Sequence, residues 1–428
     1  MSAKLAVVFY YAQPNRHSFN VLGGALETDP FFDDASVVFA REEPEFFGAI
    51  KEALVPGAPT AACVSFTTLQ LPEVERLACL VKQRFGARVT LVAGGPHPTA
   101  DPAGTLSLGC DIVVCGEGEE TLRELLKKLA ARDDCAEVRG IAFRDGAGEL
   151  RQRREPRAAI DLDAYPPFAE RSHKFGPLEI TRGCPFACGF CQTAHLLGGK
   201  PRHRSVEKLA RHAEVMKRNN LKDVRLLSPD AFSYGSPDGK QLRPDALREL
   251  FAALRTALGA DGRLFFGTFP SEARPEHIVP ETIELVRRYA SNDNLVIGAQ
   301  SGSERILSLC RRGHTVADVR SAASLTLQSG LKANVDFILG LPGETDDDMD
   351  QTAALMTELA DLGARIHVHF FMPLPQTQFA GQNPTRPSER LLKAVNRLVG
   401  RGMVYGEWQQ QEKRATWLAG EVWHGAAP

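Results

Sequence analysis

The sequence lacks the features that mark membrane-spanning, exported and nucleic-acid-binding proteins. No apolar stretch approaches the ~18 residues of a membrane span, so no membrane association is expected. The first residues, MSAKLAVVFYY, hold no small-residue cleavage site after a hydrophobic stretch, so no secretory signal is expected. The 51 basic and 53 acidic residues give a formal net charge of -2 and form no basic run, which implies no nucleic acid partner. Because nine cysteines occur without export signals, we expect a cytoplasmic protein in a reducing compartment.

The 428 residues leave room for two or three domains, and an alternation of apolar runs with helical patterns indicates where they lie. Near-continuous apolar strands separated by helices predict a parallel sheet that is covered on both faces. We therefore predict a doubly wound, Rossmann-like α/β domain over residues 1–135, followed by a hairpin and linker over residues 136–174. Ligands of such domains lie beyond the carboxyl ends of the strands.

A second alternation begins with PLEITRG and ends with ARIHVHFFMPLP, and it contains six β/α units. This pattern predicts a partial (β/α)6 TIM-like barrel over residues 175–380, with its active site at the C-terminal ends of the strands. Residues 381–428 are predicted to form a helical extension, with Trp408, Trp417 and Trp423, that packs on the side of the barrel.

Three cysteines directly follow the first barrel strand, in the segment TRGCPFACGFCQT at Cys184, Cys188 and Cys191. One interpretation is a zinc site with His195 as the fourth ligand, but such knuckles fold small modules rather than large barrels. A dithiol redox site leaves Cys184 without a role. A third interpretation is an iron–sulfur cluster with three protein ligands, whose open iron binds a chelating substrate. The other six cysteines occur singly in apolar surroundings and are predicted to be small core residues: Cys63, Cys79, Cys110, Cys115, Cys135 and Cys310.

The C-x3-C-x-aromatic-C spacing after a first barrel strand resembles the radical S-adenosylmethionine (radical SAM) superfamily, over about residues 175–375. In that family the open iron of a [4Fe-4S] cluster chelates SAM, and one electron cleaves its sulfonium C–S bond to give a 5′-deoxyadenosyl radical. The resemblance implies that Cys184, Cys188 and Cys191 hold the cluster and that Phe190 shields it. It also implies an electron donor such as flavodoxin or ferredoxin.

The same resemblance implies contacts with SAM at the ends of later strands. In SPDAF, Asp230 would accept the amino group, and in AQSGS, Gln300 and Ser301 would hold the ribose. In DFILGLPGET, Ile338 and Gly340 would lie near the adenine. The family's glutamate falls one position late here, at Glu344, and GLPGET also has the pattern of a strand end with a helix cap. The stretch TFPSE, residues 268–272, ends another strand and is expected to contact SAM or substrate.

Alternation predicts polar side chains in the barrel lumen. In RIHVHFF, the side chains of Arg365, His367 and His369 share one face of a strand, and Asn334 and Asp336 alternate in the same way on the neighbouring strand. We predict that these residues bind the substrate. An alternative is a zinc ion bound by the two histidines, for which the sequence offers no third ligand at a suitable spacing.

Three loops of the N-terminal domain follow strands and should converge at one edge of its sheet: TTLQ, GGPHP and GEGEE. They resemble the loops of the cobalamin-binding class of radical SAM proteins, and with the barrel this resemblance covers the chain to about residue 380. The residues that it implies for cobalamin binding are Thr67, Thr68, Gly94, Gly95, Pro96, His97, Gly116, Glu117 and Gly118.

One departure concerns the lower ligand of cobalt. Classical cobalamin domains carry D-x-H-x-x-G, whereas the equivalent loop here reads NRHSFN, with Asn15, His17 and Asn20 at the motif positions. Without a carboxylate the imidazole loses the partner that would orient it and raise its basicity. We therefore predict cobalamin bound without a protein histidine, with His17 as the alternative ligand.

These cofactors together predict radical methylation of an unactivated carbon of an unknown substrate. The first alternative is ring formation or rearrangement with cobalamin but without methyl transfer. A second alternative is a non-catalytic iron–sulfur and corrinoid sensor. No cysteine triad precedes residue 184, which argues against the related methylthiotransferases. The sequence indicates neither the substrate nor the oligomeric state.

Overall fold

A boundary after Gly176 divides the chain into two units, Met1–Gly176 and Pro177–Pro428. The computed structural model describes residues 5–54, 57–152 and 159–422. No helix in these ranges combines the length and the apolarity that crossing a bilayer requires. The finer division at residues 135, 174 and 380 stays a prediction.

Among the described residues of the first unit are seven strands and six α-helices. The strands are β1 (Ala6–Tyr10), β2 (Ser36–Ala40), β3 (Thr60–Ser65), β4 (Thr90–Gly94), β5 (Ile112–Val114), β6 (Ile141–Arg144) and β7 (Leu150–Gln152). The helices are α1 (Arg16–Glu27), α2 (Glu43–Leu54), α3 (Leu71–Phe85), α4 (Pro96–Ala100), α5 (Pro102–Ser107) and α6 (Gly118–Ala131).

The seven strands form one sheet in the order β2-β1-β3-β4-β5-β6-β7. The first five are parallel, and β6 and β7 extend the sheet as an antiparallel edge. The strand order reverses between β1 and β3, and doubly wound sheets bind ligands at the carboxyl ends of the strands at such a point.

Alternate residues of the central strands enter two separate cores, one on each face of the sheet. Val7 and Phe9 of β1 pack into one core, where the Phe9 ring lies 4.8 Å from that of Phe19 in α1. Val8 packs into the other core with Phe46 of α2. Because both faces are buried, the strands are apolar throughout. The predicted doubly wound α/β domain is confirmed.

The prediction that all six single cysteines are core residues is wrong for Cys79. Cys63, Cys110 and Cys310 are buried, and Cys115 and Cys135 are half-buried. Cys79 is exposed because α3 turns its apolar face to the core through Val74, Leu77, Ala78 and Val81, and Cys79 lies on another face.

Nine strands and nine α-helices are described in the second unit. The strands are β8 (Leu178–Glu179), β9 (Thr181–Arg182), β10 (Arg202–His203), β11 (Asp223–Leu227), β12 (Arg263–Phe265), β13 (Asn294–Gln300), β14 (Lys332–Leu339), β15 (Arg365–Phe370) and β16 (Val404–Tyr405). The helices are α7 (Thr193–Leu197), α8 (Val206–Arg218), α9 (Pro244–Leu258), α10 (Pro280–Tyr289), α11 (Glu304–Leu309), α12 (Val316–Gln328), α13 (Asp346–Asp361), α14 (Glu389–Gly400) and α15 (Trp408–Trp417).

Six of these strands lie side by side in chain order, as in a barrel of β/α units. β8, β11 and β12 pair in parallel, and so do β13, β14 and β15. A parallel bridge between Ala273 and Ile297 links the two groups. This arrangement confirms the predicted partial (β/α)6 barrel, and it brings the loops that follow the strands to one end.

The C-terminal extension adds a seventh strand to this sheet. β16 pairs in parallel with β15, placing Tyr405 opposite His367. Gln411 of α15 accepts a hydrogen bond from the backbone N–H of Phe370 at 2.7 Å, and Trp408 is buried. Trp423 lies outside the described residues.

Candidate active site

The cysteine loop begins with a close backbone approach. Gly183 has φ +93°, and a Cβ at this position would lie 2.4 Å from the carbonyl oxygen of Lys200. The N–H of Cys184 then donates to the carbonyl of Gly198 at 3.0 Å. Only glycine fits this start, so the conformation of the loop is fixed before the first thiol.

Two other segments hold the second half of the loop. The N–H of Gly189 donates to the carbonyl of Cys310 at 2.9 Å, and the carbonyl of Gly189 accepts from Phe379 at 3.0 Å. A Cβ at Gly189 would lie 2.9 Å from the Phe379 ring, so this contact also requires glycine. The loop is therefore clamped between the end of α11 and the segment that follows β15.

The three thiols are spaced too widely for a single metal ion. Their sulfur atoms do not all lie within 4.8 Å of one another, whereas ligands of one zinc ion are closer than this. His195 in α7 is exposed and joins no such group. The arrangement therefore fits a cluster, in which each thiolate binds a different iron.

Burial keeps two of the three thiols neutral when no metal is bound. It raises the pKa of Cys184 to about 11 and also raises the pKa of Cys191. The Cys191 thiol donates to Thr193 Oγ1 at 3.2 Å. Cys184 and Cys191 would therefore lose their protons when they bind a metal or a cluster.

Asp230 is buried, and both of its carboxylate oxygens have partners within the protein. His277 Nδ1 lies 2.6 Å from Oδ2, and the backbone N–H of Arg274 donates to Oδ1 at 3.2 Å. Burial acts to lower the pKa of His277, but its hydrogen bond to Asp230 outweighs this effect and raises the pKa. Asp230 therefore holds the segment after β12 in place.

Glu272 is the carboxylate that remains open in the same region. Its side chain is 32% exposed, Gln300 Nε2 donates to it at 3.3 Å, and Arg312 lies 3.8 Å away. Burial raises its pKa, Asp336 and Asp230 add to the rise, and Arg312 opposes it. The sequence indicated this residue only as the last position of TFPSE.

Gln300 and Ser301 end β13 but face different surroundings. The ladder between β13 and β14 shifts register between Gly298 and Gln300, and Gln300 has φ +71°. This unusual backbone turns the Gln300 amide toward Glu272. Ser301 instead contacts Thr352 Oγ1 at 3.3 Å and accepts from the N–H of Ser303 at 3.2 Å.

Phe190 and Ile338, two of the residues expected near SAM, pack against one apolar cluster. Its buried members are Ile306, Cys310, Leu341, Phe371 and Phe379, and Phe190 and Ile338 cover it as partly buried neighbours. Gly340, also expected there, has φ +77°, and a Cβ at this position would lie 2.7 Å from the Phe370 ring. The cysteine loop and the ends of β14 and β15 thus form a single apolar wall.

GLPGET contains a helix cap and a buried carboxyl group. Thr345 caps α13 in a reciprocal pair with Asp348. Glu344 is buried, and its Oε2 atom has no hydrogen-bond partner among the described residues. Burial is the main cause that raises the pKa of Glu344 to about 8, so the neutral form prevails at pH 7.

Arg312, which the sequence analysis missed, reaches the cysteine loop from beyond α11. Its Nη1 atom lies 3.4 Å from Cys188 Sγ, and Nη2 donates to the carbonyl of Gly298 at 2.8 Å. Its guanidinium carbon also lies 5.9 Å from the centre of the Phe190 ring. In the sequence, Arg312 is only the second arginine of CRRGHT. The spacing of charged residues there does not show that this arginine is buried rather than exposed.

The predicted lumen residues separate into two groups along the strands. Asp336 is buried, His367 Nδ1 lies 3.2 Å from its Oδ1 atom, and His369 Nε2 lies 3.8 Å from Oδ2. Burial would raise the pKa of Asp336, but the hydrogen bond with His367 and the nearby His369 ring hold it below its usual value. Asn334 and Arg365 pair near the amino-terminal end of the strands, where Asn334 donates to Asn294 and Arg365 is exposed.

An aromatic ring from β16 completes this polar group. The Tyr405 ring stacks on His367 with a centroid distance of 4.4 Å and an interplanar angle of 3°. The His367 and His369 rings lie 4.0 Å apart. Sequence analysis missed Tyr405 because β16 has only two residues and carries no alternation.

In the first unit, the loops at the carboxyl edge of the sheet are joined by side-chain hydrogen bonds. Asn15 donates to the carbonyl of Ser65 at 2.6 Å, His97 Nδ1 lies 3.1 Å from Thr68 Oγ1, and the N–H of Gly116 donates to Thr99 Oγ1 at 3.0 Å. The remaining residues expected to bind cobalamin lie in these loops or at the ends of the strands and helices that flank them: Thr67, Gly94, Gly95, Pro96, Glu117 and Gly118.

Two features of this edge fit a ligand that approaches the backbone closely. Ser65 Oγ is buried at the end of β3 and has no hydrogen-bond partner among the described residues. Gly95 has φ +98°, and a Cβ at this position would lie 2.7 Å from Ser65 Oγ. Burial lowers the pKa of His97 to about 4, so this ring is neutral and stacks on Phe66.

The loop that departs from the classical cobalt-ligand motif is tied into the protein. Asn15 bonds to Ser65, as described, and Asn20 is buried, where it accepts from Tyr11 Oη at 2.7 Å and donates to the carbonyl of Phe175 at 3.0 Å. His17 is half-buried in the first turn of α1. The two asparagines that replace Asp and Gly therefore have structural contacts of their own.

Comparison with known proteins assigns a domain family to a segment of each unit. The profile of the Radical SAM superfamily matches residues 178–356, and the profile of the B12 binding domain matches residues 18–126. The two predicted domain types are thus confirmed, and their bounds stay predictions. The second match, over residues 18–126, includes the loops that follow β3, β4 and β5.

An uncharacterized methyltransferase of Pyrococcus horikoshii is 25% identical over 357 residues, which are 80% of this chain and 70% of that protein. The radical S-adenosylmethionine methyltransferase TsrM from Kitasatospora setae, solved with cobalamin and a [4Fe-4S] cluster, is 17% identical with a TM-score of 0.70, covering 90% of this chain and 80% of TsrM. The cobalamin-dependent S-adenosylmethionine radical enzyme OxsB is 18% identical with a TM-score of 0.63, covering 82% of this chain and 51% of OxsB. These structural likenesses establish the fold alone. Three relatives, the Pyrococcus protein among them, match 74–80% of this chain, and the matched segments span 66–71% of the length of those proteins.

Proposed function

We propose a function for this chain from the two domains that it contains, a radical SAM domain preceded by a B12-binding domain. The chain binds a [4Fe-4S] cluster, S-adenosylmethionine and cobalamin, and it methylates an unactivated carbon of its substrate. The observation that carries the proposal is the loop of Cys184, Cys188 and Cys191, whose sulfur atoms are too far apart for one ion. When bound, the cluster supplies the electron that cleaves SAM, and cobalamin supplies a methyl carrier.

In the second unit, the polar strand ends form the proposed SAM site. Glu272 accepts the amino group, because it is open where the predicted acceptor, Asp230, is engaged by His277 and Arg274. Asp230 acts as a positioning residue that fixes the segment carrying Glu272. A partly buried carboxylate such as Glu272 forms a stronger bond with an ammonium group than a fully exposed one, since the local dielectric is lower.

The nucleoside part of SAM is proposed to bind next to this carboxylate. Gln300 contacts the ribose, since its backbone turns the amide inward. Phe190, Ile338 and Gly340 contact the adenine, since the first two already share one apolar wall. Ser301 supports the turn after β13 through its bonds to Thr352 and Ser303.

The first unit is proposed to hold cobalamin at the carboxyl edge of its sheet. The buried Ser65 hydroxyl and the left-handed Gly95 support this placement, because one offers a hydrogen bond and the other leaves room for a close approach. His97 is neutral and packed on Phe66, so it contributes shape rather than charge. The asparagines at 15 and 20 support cobalamin bound without His17 as a ligand.

Methyl transfer is proposed from the pairing of the two domains, together with an archaeal relative that is named as a methyltransferase. Cobalamin-dependent rearrangement without methyl transfer is the second candidate, since OxsB shares the fold and is named only as a radical enzyme. A one-electron donor such as flavodoxin or ferredoxin would reduce the cluster. The substrate is proposed to lie against the face formed by Asp336, His367 and His369.

The test is an anaerobic assay of the full chain with reconstituted cluster, cobalamin, SAM and dithionite. We expect a broad cluster absorption near ~400 nm, corrinoid bands, and formation of both 5′-deoxyadenosine and S-adenosylhomocysteine. Deoxyadenosine without S-adenosylhomocysteine would exclude methyl transfer and favour rearrangement. Absence of both products from protein that holds cluster and corrinoid would favour a sensor.

The matched control uses two cysteines of the same chain. Cys184→Ala should abolish the cluster absorption and both products, because each of the three thiolates binds its own iron. Cys79→Ala should leave both unchanged, because Cys79 is exposed on α3 and belongs to the first unit.

A further inference from the structure

We propose that Asp336, His367 and His369 bind one divalent transition-metal ion that is separate from the iron–sulfur cluster. The proposal concerns the bare side chains on β14 and β15 and does not depend on cleavage of SAM. It provides the third ligand that sequence spacing did not offer for the two histidines. Two imidazoles and one carboxylate form a donor set that suits Zn²⁺ and Fe²⁺.

The donor atoms already have the spacing that one ion requires. One ligand atom from each of the three residues lies within 4.8 Å of the others, and the two Asp336–His distances are 3.2 and 3.8 Å. Zinc binds nitrogen and oxygen at about 2.0–2.2 Å, so two ligands of a tetrahedral ion stand roughly 3.3–3.5 Å apart. The observed distances lie on either side of this range.

Strand geometry fixes the three ligands. The register of β14 and β15 places Asp336 opposite His367, and His369 follows two residues later on the same face. Tyr405 stacks flat on the His367 ring, and a Cβ at Gly406 would lie 3.1 Å from this ring. Ligands carried by paired strands and held by a neighbouring ring are preorganised for an ion.

A polar cluster held together only by hydrogen bonds explains this arrangement less well. Asp336 and His367 are within hydrogen-bond distance, but the 3.8 Å between Asp336 Oδ2 and His369 Nε2 is too long for such a bond. Among the described residues, no other three His, Cys, Asp or Glu side chains converge in this way.

The site is accessible and keeps room for further ligands. The side chains of His367 and His369 are 27% and 32% exposed, whereas Asp336 is 10% exposed. The carboxylate of Asp336 would therefore bind the ion from the buried side. The coordination positions on the exposed side, next to the two imidazole rings, would stay open for other ligands. Such an open site binds oxygen or nitrogen groups of a small molecule, as catalytic rather than structural zinc sites do.

The experiment is a Zn²⁺ titration of the full chain with its cluster in place, followed by equilibrium dialysis and separate measurement of zinc and iron. We expect one Zn²⁺ per chain with a Kd of about 1 μM or below. Asp336→Asn and His369→Ala should each weaken binding by about 100-fold or more. His195→Ala and Asp293→Asn, which change exposed residues outside this trio, should leave the affinity unchanged.

Absence of saturable binding by wild-type protein, or a wild-type affinity in both Asp336→Asn and His369→Ala proteins, would overturn the proposal. A thermal shift provides a readout that remains valid if one variant folds poorly. One equivalent of Zn²⁺ should raise the Tm of wild-type protein, because an ion that binds only the folded state stabilises it. His369→Ala protein should show no such rise, and a wild-type Tm that does not respond to Zn²⁺ would also count against the site.

Discussion

The Nη1 atom of Arg312 lies 3.4 Å from the sulfur of Cys188, and the Arg312 guanidinium is almost completely buried. Its Nε atom has no hydrogen-bond partner among the described residues, so the side chain is not held by a full set of protein contacts. In the proposed cluster, Cys188 binds one iron, and a fixed positive charge at its sulfur would stabilise the state with the extra electron. We therefore expect Arg312 to act on the electron-accepting step through Cys188.

Arg312→Gln is expected to lower the reduction potential of the cluster by roughly 50 mV. The variant would stabilise the reduced cluster relative to the oxidised cluster by about 1 kcal/mol less, which corresponds to tens of millivolts for one electron. A redox titration followed by electron paramagnetic resonance measures this shift. Arg311→Gln is the matched control, because Arg311 is the exposed neighbour. Equal potentials in the two variants would show that the Arg312–Cys188 contact has no electronic effect.

Glu272→Gln is expected to weaken SAM binding by about tenfold to 100-fold, because a neutral amide cannot pair with the ammonium group. Asp230→Asn should instead lower the Tm, because it removes the carboxylate that holds His277 and Arg274. Equilibrium dialysis with SAM and thermal unfolding separate these effects. Glu281→Gln, an exposed change in α10, is the control for both. If Asp230→Asn alone impairs SAM binding, the assignment of the amino group to Glu272 is wrong.

Stability of the second unit should fall as the pH rises, through Glu344. Its pKa is about 8 in the folded chain, whereas the ordinary value is 4.5. Below pH 4.5 the Glu344 carboxyl group is protonated in both the folded and the unfolded chain, so it does not lower the free energy of unfolding. Between the two values the unfolded chain releases a proton that the folded chain retains, so stability decreases until the folded pKa is passed. The loss is on the order of 5 kcal/mol, since each unit of pKa difference corresponds to about 1.4 kcal/mol.

Glu344→Gln is expected to remove this pH dependence in the cofactor-free protein. The difference in Tm between the variant and wild type should be small at pH 5 and clearly positive at pH 8. Thermal unfolding at the two pH values measures it. A difference that does not change with pH would mean that Glu344 is ionised in the folded chain.

Gly95→Ala is expected to weaken corrinoid binding by about tenfold or more, because the added methyl group would lie 2.7 Å from Ser65 Oγ in a left-handed backbone. Gly48→Ala is the control, since a Cβ at Gly48 meets no atom within 4 Å. Titration with cobalamin, followed by absorption, measures the affinity. Unchanged binding in folded Gly95→Ala protein would place the corrinoid away from the loop after β4.

The sequence was most informative where a pattern repeats. Alternation in RIHVHFF placed His367 and His369 on one face, because successive side chains of a strand always point in opposite directions. The apolar strands of the first unit likewise predicted a sheet that is covered on both sides. The cysteine spacing identified the radical SAM domain, because three cysteines within eight residues form a local motif.

Contacts between segments that are far apart in the sequence could not be predicted. The place of Asp230 at a strand end suggested a contact with SAM, but it did not indicate the hydrogen bond with His277, which is 47 positions away. Arg312 reaches Cys188 across 124 positions, and Tyr405 reaches His367 through a strand of two residues. Neither contact follows from a periodicity, because each depends on how separate β/α units pack.

The pairing of β16 with β15 gives the segment after residue 400 a protective role. β15 pairs with β14 along one edge and with β16 along the other. Its backbone therefore has no free edge at Ile366 and His367. A chain cut before Val404 would expose that edge, and an exposed edge recruits strands from other molecules. Such a truncation should therefore drive self-association through β15, as well as remove Tyr405 from the histidine pair.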